Sequence, residues 1–246
     1  MPSNSLTLAK KHDFAIGNEP ILTAVLIHGL AADSSSFDNL MAYMKEKECP
    51  AGVRIVAFDL LGSGKSLRDD SLNYNYDTQL KALHNSIEAL DLSTPLVLVG
   101  HSMGTLVVTR YAATHKNAVR ELLLISPPVY TIKDLENPAF GKAMTLFKNA
   151  VSVRNRKVLE EKPFNDYIDN IVLDRDNYKV LSGIKVPTTL IYGSADRFIA
   201  SHNISGLLRK NPRYLSAIET DGRHGVTKDK FTSVIKTLER IRDDIF

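Results

Sequence analysis

The stretch Pro95-Leu96-Val97-Leu98-Val99-Gly100-His101-Ser102-Met103-Gly104-Thr105-Leu106-Val107-Val108 decides how the rest of the chain is read. A short apolar run rich in Val and Leu ends in Gly100-His101-Ser102-Met103-Gly104. It gives way to a segment with Leu106, Val107, Tyr111 and Ala112 at helical spacing. Strand, then G-x-S-x-G, then helix is the context in which a serine is forced into a sharp turn and its hydroxyl stands out above a sheet. The flanking glycines make that turn sterically accessible.

Outward from this stretch, apolar runs recur at 21–27, 53–58, 96–99, 122–125 and 188–192, with a weaker one at 215–218. Their Val, Ile and Leu content fits strands buried on both faces. Between them Leu80, Leu83, Ile87 and Leu90 recur at steps of three and four, as do Phe231, Val234, Ile235, Leu238 and Ile241. Alternating strands and helices imply right-handed crossovers and an α/β architecture, a mostly parallel central sheet flanked by helices. Residues 5–16 read as a short hairpin at the sheet edge.

The rhythm breaks after Ile125, where Ser126-Pro127-Pro128 opens about sixty residues without a strand-like run before Lys185-Val186-Pro187 restarts the pattern. We read 1–127 and 186–246 as the core domain and 128–185 as a helical cap over the carboxyl edge of the sheet. Within the cap, Phe140, Ala143, Met144, Phe147 and Val151 share one helical face, and Phe164, Tyr167, Ile168, Ile171 and Val172 share another. Most of these are expected to pack cap against body, with Phe140, Met144 and Phe147 as candidates for lining a substrate pocket.

Composition narrows the function classes. A chain of 246 residues, 43% of them hydrophobic, buries one substantial core. The net charge of +3 arises from Lys and Arg interspersed with Asp and Glu, so no nucleic-acid partner is expected. The first residues lack the apolar stretch of a secretory signal, and no segment approaches the roughly 20 apolar residues of a membrane span, which reads as a soluble cytoplasmic protein. Cys49 is the single cysteine, so neither an intramolecular disulfide nor a cysteine zinc cage forms. No metal and no cofactor is implied.

A serine hydroxyl is a weak nucleophile at neutral pH and needs a base in reach, and the base needs a partner that fixes its tautomer. Gly193-Ser194-Ala195-Asp196 follows the run at 188–192, which puts a carboxylate at the same sheet edge as Ser102. Asp221-Gly222-Arg223-His224-Gly225 follows the run at 215–218, and its glycines mark a loop that brings an imidazole over the serine. Nucleophile Ser102, acid Asp196 and base His224 also stand in the chain order of one known arrangement. His202 is the rival histidine, beside a helix start, and Asp134 is a rival acid. His12, His84 and His115 read as exposed, His101 as packing locally and His28 as structural. Two backbone N–H groups, those of Met103 and of Leu30 after Gly29, are the candidate donors to a developing oxyanion. Gly62-Ser63-Gly64-Lys65-Ser66 imitates a phosphate-binding loop, but Asp59 stands where that motif needs its first glycine, and no helix pattern follows.

Taken together, His28-Gly29, Asp59-Leu60-Leu61-Gly62-Ser63-Gly64-Lys65-Ser66, the G-x-S-x-G at 100–104, and the loops at 193–196 and 222–225 resemble the α/β-hydrolase fold enzymes with a small cap domain, a group that includes carboxylesterases. The resemblance spans nearly the whole chain. It implies a cap inserted after the sixth strand, a structural role for 59–66, and cleavage of small-molecule acyl esters through an acyl-enzyme. Dehalogenase and epoxide hydrolase relatives carry an aspartate nucleophile, which Ser102 argues against. Thioesterase, aminopeptidase, carbon–carbon bond hydrolase and perhydrolase activities use the same triad and stay open. So does a ligand receptor on the same scaffold, because fold does not choose function.

Overall fold

The Val-, Ile- and Leu-rich runs have no polar face to turn to water, and in a computed structural model of the chain they lie inside a seven-stranded sheet covered by helices. The structure describes residues 6–17, 19–154 and 158–245. Strands β1 (Ala9–Ile16), β2 (Leu22–Ile27), β3 (Val53–Asp59), β4 (Leu96–His101), β5 (Glu121–Ile125), β6 (Thr188–Gly193) and β7 (Leu215–Thr220) lie in the order β1-β3-β2-β4-β5-β6-β7. β1 runs antiparallel to β3, and every other pairing is parallel.

The helices are α1 (Asp38–Lys47), α2 (Tyr76–Glu88), α3 (Met103–Thr114), α4 (Ile132–Leu135), α5 (Pro138–Arg154), α6 (Glu161–Tyr167), α7 (Asn177–Ser182), α8 (Ser201–Lys210) and α9 (Lys228–Asp243). α2 starts where Asn75 and Thr78 each bond the other's backbone N–H, a reciprocal cap. α9 carries Asp229 in its first turn and Arg240 and Arg242 in its last, which suits the helix dipole. Alternate side chains of β2 enter opposite layers. Leu22, Ala24 and Leu26 pack with α1 and α9, while Val25 and Ile27 join Leu83 and Val107 of α2 and α3.

Two expectations change. Leu8 and Ala9 give their N–H groups to Ser86 Oγ and Ser66 Oγ, so the segment ahead of β1 is tied to the body and makes no return strand. The hairpin expected at 5–16 is therefore a single strand, with residue 5 outside the described residues, and the helical insertion follows the fifth strand rather than the sixth. The insertion also divides in two. α6 continues into a π-helical turn, Ile168–Val172, and Phe164, Tyr167, Ile168 and Ile171 are buried in the layer shared with α2 and α3. Tyr167 donates its hydroxyl to the Leu61 carbonyl and accepts from Gln79 Nε2 at 2.7 Å. α5 stays near the surface, its Leu146 side 70% exposed.

From β2 the chain moves outward to β3 and then crosses to β4 on the other side, so the strand order reverses between β2 and β4. Such a switch leaves a crevice at the carboxyl ends of the strands, where ligands bind in open α/β sheets. The loop after β3 is not a second such site. Asp59 turns its buried carboxylate into it and accepts from Ser34 N (2.8 Å), Ser34 Oγ (2.5 Å) and Lys65 N (2.9 Å). Gly64 has φ +52°, and a Cβ there would run into that carboxylate. The backbone cradle a phosphate would occupy is filled by the chain's own anion. Asp59→Ala strands those donors, and we expect a loss of about 2–4 kcal/mol in urea unfolding. Magnesium-ATP is expected to leave the wild-type melting temperature unchanged.

Candidate active site

Ser102 joins β4 to α3 with φ 51° and ψ −123°, a backbone conformation that L-residues adopt at a cost. Its neighbours hold it there. The Ser102 N–H donates to the Ile125 carbonyl at 2.9 Å, and its own carbonyl accepts from Thr105 N and Thr105 Oγ1 at 2.9 and 2.6 Å. The flanking glycines serve close approach rather than unusual dihedrals. A Cβ on Gly100 would sit 2.6 Å from the Thr105 backbone, and one on Gly104 would meet the carbonyls of Ile27 and His28. From the β2 side Gly29 presses equally close, its Cβ position 3.0 Å from the Ser102 Cβ. Ser102 thereby heads a helix whose first N–H groups have no intrahelical acceptors, and Met103 and Leu30 both border the space in front of its hydroxyl.

His224 meets Ser102 from the loop after β7. Its Nε2 lies 2.8 Å from Ser102 Oγ, and its Nδ1 lies 2.9 and 3.0 Å from the two carboxylate oxygens of Asp196. An ionised carboxylate only accepts, so the proton sits on Nδ1 and Nε2 offers its lone pair to the hydroxyl. Two glycines let the loops meet, because a Cβ on Gly193 would overlap the backbone of Gly222. The Asp196 side chain is fully buried. Burial pushes its pKa up, but the hydrogen bond and charge of His224, with further hydrogen bonds from Phe198 N–H and Ser126, outweigh it and hold the carboxyl below its usual range.

His101 donates from Nε2 to the His224 carbonyl at 2.9 Å, which leaves Nδ1 without a protein partner. Burial drives the pKa of this ring down to about 3, so it stays neutral. His28 is fully buried, donates to the Gly29 carbonyl at 2.8 Å and accepts from Leu60 N at 2.9 Å, tying the loop after β2 to the loop after β3. The rivals are engaged elsewhere. Asp134 caps α4 through Thr131, accepts from Asn203 and lies 3.6 Å from His202. His12 reaches Asp38 and is half-buried, and half-buried His84 and His115 stack with each other beside Tyr111, which corrects their reading as exposed residues.

A cavity of about 530 Å³ opens beside Ser102 and His224, with Phe140, Met144 and Phe147 of α5 on its wall. Tyr130, Phe198 and Ile199 also line it and were missed in the sequence. They sit in loops, where no periodicity marks the side that meets the cavity. Adjacency to Asp196 was the available signal for Phe198: its N–H donates to Asp196 Oδ1 at 2.9 Å, and that turn sets its ring edge-on between His224 (5.0 Å) and Phe147 (5.4 Å). Among the described residues no group of His, Cys, Asp and Glu converges to hold a metal ion, and no helix is long and apolar enough to cross a membrane.

Comparison with known proteins gives a family, several relatives and a likeness of fold. The family model described as the alpha/beta hydrolase fold matches residues 25–167. A putative non-heme chloroperoxidase of Synechocystis sp. is 29% identical over 220 residues, 89% of this chain and 74% of that protein. Lipase 1 of Psychrobacter immobilis is 25% identical over 223 residues, 79% of this chain and 67% of that protein. Among solved structures, a carboxylesterase of Nitrososphaera gargenis superposes with a TM-score of 0.72 over 99% of both chains at 19% identity, a likeness of fold.

The neutral state of His101 has a measurable consequence. The folded protein refuses a proton that the unfolded chain takes up below about pH 6.5, so stability falls as pH drops from there toward 3. Between pH 6.5 and 5 this histidine is expected to remove about 1–2 kcal/mol. In denaturant titrations at the two pH values, His101→Gln should lose less stability by that amount, and an equal loss in both proteins would show that the ring is protonated when folded.

Proposed function

The chain belongs to the α/β-hydrolase fold family, and from that premise we propose that it is a serine esterase, with Ser102 as nucleophile, His224 as general base and acid, and Asp196 as the group that orients His224. The observation that carries this reading is the unbroken hydrogen-bonded line from Ser102 Oγ through His224 to the buried Asp196 carboxylate, at the mouth of an apolar cavity. The names of the lipase of Psychrobacter immobilis and the carboxylesterase of Nitrososphaera gargenis support ester chemistry.

In this mechanism Ser102 Oγ bonds to the ester carbonyl carbon while its proton passes to His224 Nε2. The carbonyl oxygen becomes an oxyanion and accepts from the backbone N–H groups of Met103 and Leu30, the kind of contact worth about 10²–10³ in rate. His224 then gives the proton to the departing alkoxide, which leaves as the alcohol and frees the acyl-enzyme. A water molecule attacks the acyl carbon, gives its proton to His224, and Ser102 departs with that proton as the acid is released. Asp196 keeps its charge throughout, stabilising the imidazolium and fixing its tautomer.

The cavity selects the acyl group. Its volume falls in the range of small-molecule sites. The α5 wall contributes phenyl rings and a thioether, so we read the acyl portion as apolar.

Ser102→Ala is expected to lower turnover of activated aryl esters by about 10⁴-fold or more, with a melting temperature close to wild type. It should also abolish labelling by a fluorophosphonate probe. Retained turnover in a clean preparation would overturn the assignment. Met144→Trp fills part of the cavity. Across aryl esters of graded chain length, it is expected to cut kcat/KM for the longest accepted chain about tenfold or more and to spare the acetate. A chain-length profile identical to wild type would remove α5 from the acyl pocket.

A further inference from the structure

Lys230, in the first turn of α9, is completely buried, an unusual position for a lysine. An ammonium in such a place needs an acceptor for each N–H it turns inward. Three are present. The carbonyls of Arg223 and Gly225, the latter at 3.0 Å, flank His224 on either side, and Ser126 Oγ lies 2.7 Å away at the end of β5. With the His101 bond to the His224 carbonyl, three successive carbonyls of the loop that carries His224 are held by side chains from beneath it. On its outer side the loop has little cover, since Arg223 and Gly225 are exposed.

The bond to Ser126 has a direction. An ammonium has no lone pair, so Ser126 Oγ accepts from Lys230 and keeps its own proton to donate, and Ser126 is among the groups that hold the Asp196 carboxyl below its usual range. Ser126 is itself fixed, with φ 52° and its N–H bonded to the Ile191 carbonyl at 2.8 Å. One side chain therefore bonds both the loop that carries the proposed base and Ser126 at the end of β5. Burial lowers the pKa of Lys230 from its usual value, and the nearby carboxylates of Asp196 and Asp229 oppose that shift without cancelling it.

Stability alone does not account for a charge here. Exchanging a buried ionic group for a well-packed apolar one is often neutral or stabilising, so a lysine kept inside is best explained by what it orients. We propose that Lys230 is a positioning residue for the hydrolytic site: its ammonium, anchored on Ser126, fixes the backbone on both sides of His224, so that the imidazole stays aligned with Ser102. The inference rests on the esterase reading above.

Lys230→Met and Ser126→Ala test it when kcat and KM for an aryl ester are measured per active site, counted by fluorophosphonate titration of Ser102. For Lys230→Met, kcat per titrated site is expected to fall between about 10- and 100-fold, the scale of a misaligned catalytic group, with KM changed less than about threefold. Ser126→Ala keeps the ammonium and both loop carbonyls and should show a smaller fall of the same kind. A structural lysine would lower the melting temperature and the titratable fraction but leave turnover per site within about twofold of wild type, and that result overturns the inference. Should Lys230→Met not fold, Ser126→Ala decides by the same criterion. A wild type without Ser102-dependent turnover removes the esterase reading and this inference together, whereas an active wild type with an equally active Lys230→Met removes this inference alone.

Discussion

Gly104 lies so close to the carboxyl end of β2 that one added methyl group would meet the carbonyl oxygens of Ile27 and His28. This approach lets the first turn of α3 seat against β2, and it leaves the residue before that turn no relaxed backbone conformation. Ser102 takes the strained one, pinned by Ile125 and Thr105. The strain has a use, since the side chain stands clear of the sheet at the point where the strand order reverses. The neighbouring Gly29 brings the loop after β2 to the same spot, so the proposed nucleophile and the candidate oxyanion donors share one packing constraint.

The proposed base is organised on a different principle. Ser102 is held by close packing, but His224 sits on an irregular loop whose shape comes from hydrogen bonds sent up from below by His101 and Lys230. Each has been withdrawn from water to do this, one as a neutral ring and the other as a buried ammonium. Polar groups taken out of solvent lose much if left unpaired. A loop bound to them therefore has few alternative arrangements, although much of its own surface is wet.

The sheet and its flanking helices were legible because burial on two faces leaves an unmistakable composition in a strand, and burial on one leaves a 3.6-residue period in a helix. Ser102, Asp196 and His224 were legible because each follows a strand-like run and carries glycines where loops must approach one another. β1 was only partly so: a solvent-edged strand with exposed Lys10, Lys11 and Asp13 has no apolar run to announce its length. The aromatic residues of loops, Tyr130 and Phe198, and the buried Lys230 escaped for a common reason. Their surroundings are set by segments distant in the chain, and nothing in their immediate neighbours encodes them.

The insertion between β5 and β6 separates two tasks that many folds combine. Phe164, Tyr167, Ile168 and Ile171 are set in the same apolar layer as α2 and α3, whereas α5 lies half in solvent and offers one face to the cavity. Side chains on α5 can therefore drift, or be exchanged by an engineer, with little penalty to the folded state. The sheet beneath stands as a fixed chassis, against which one helix face of the cavity wall can be rebuilt on its own.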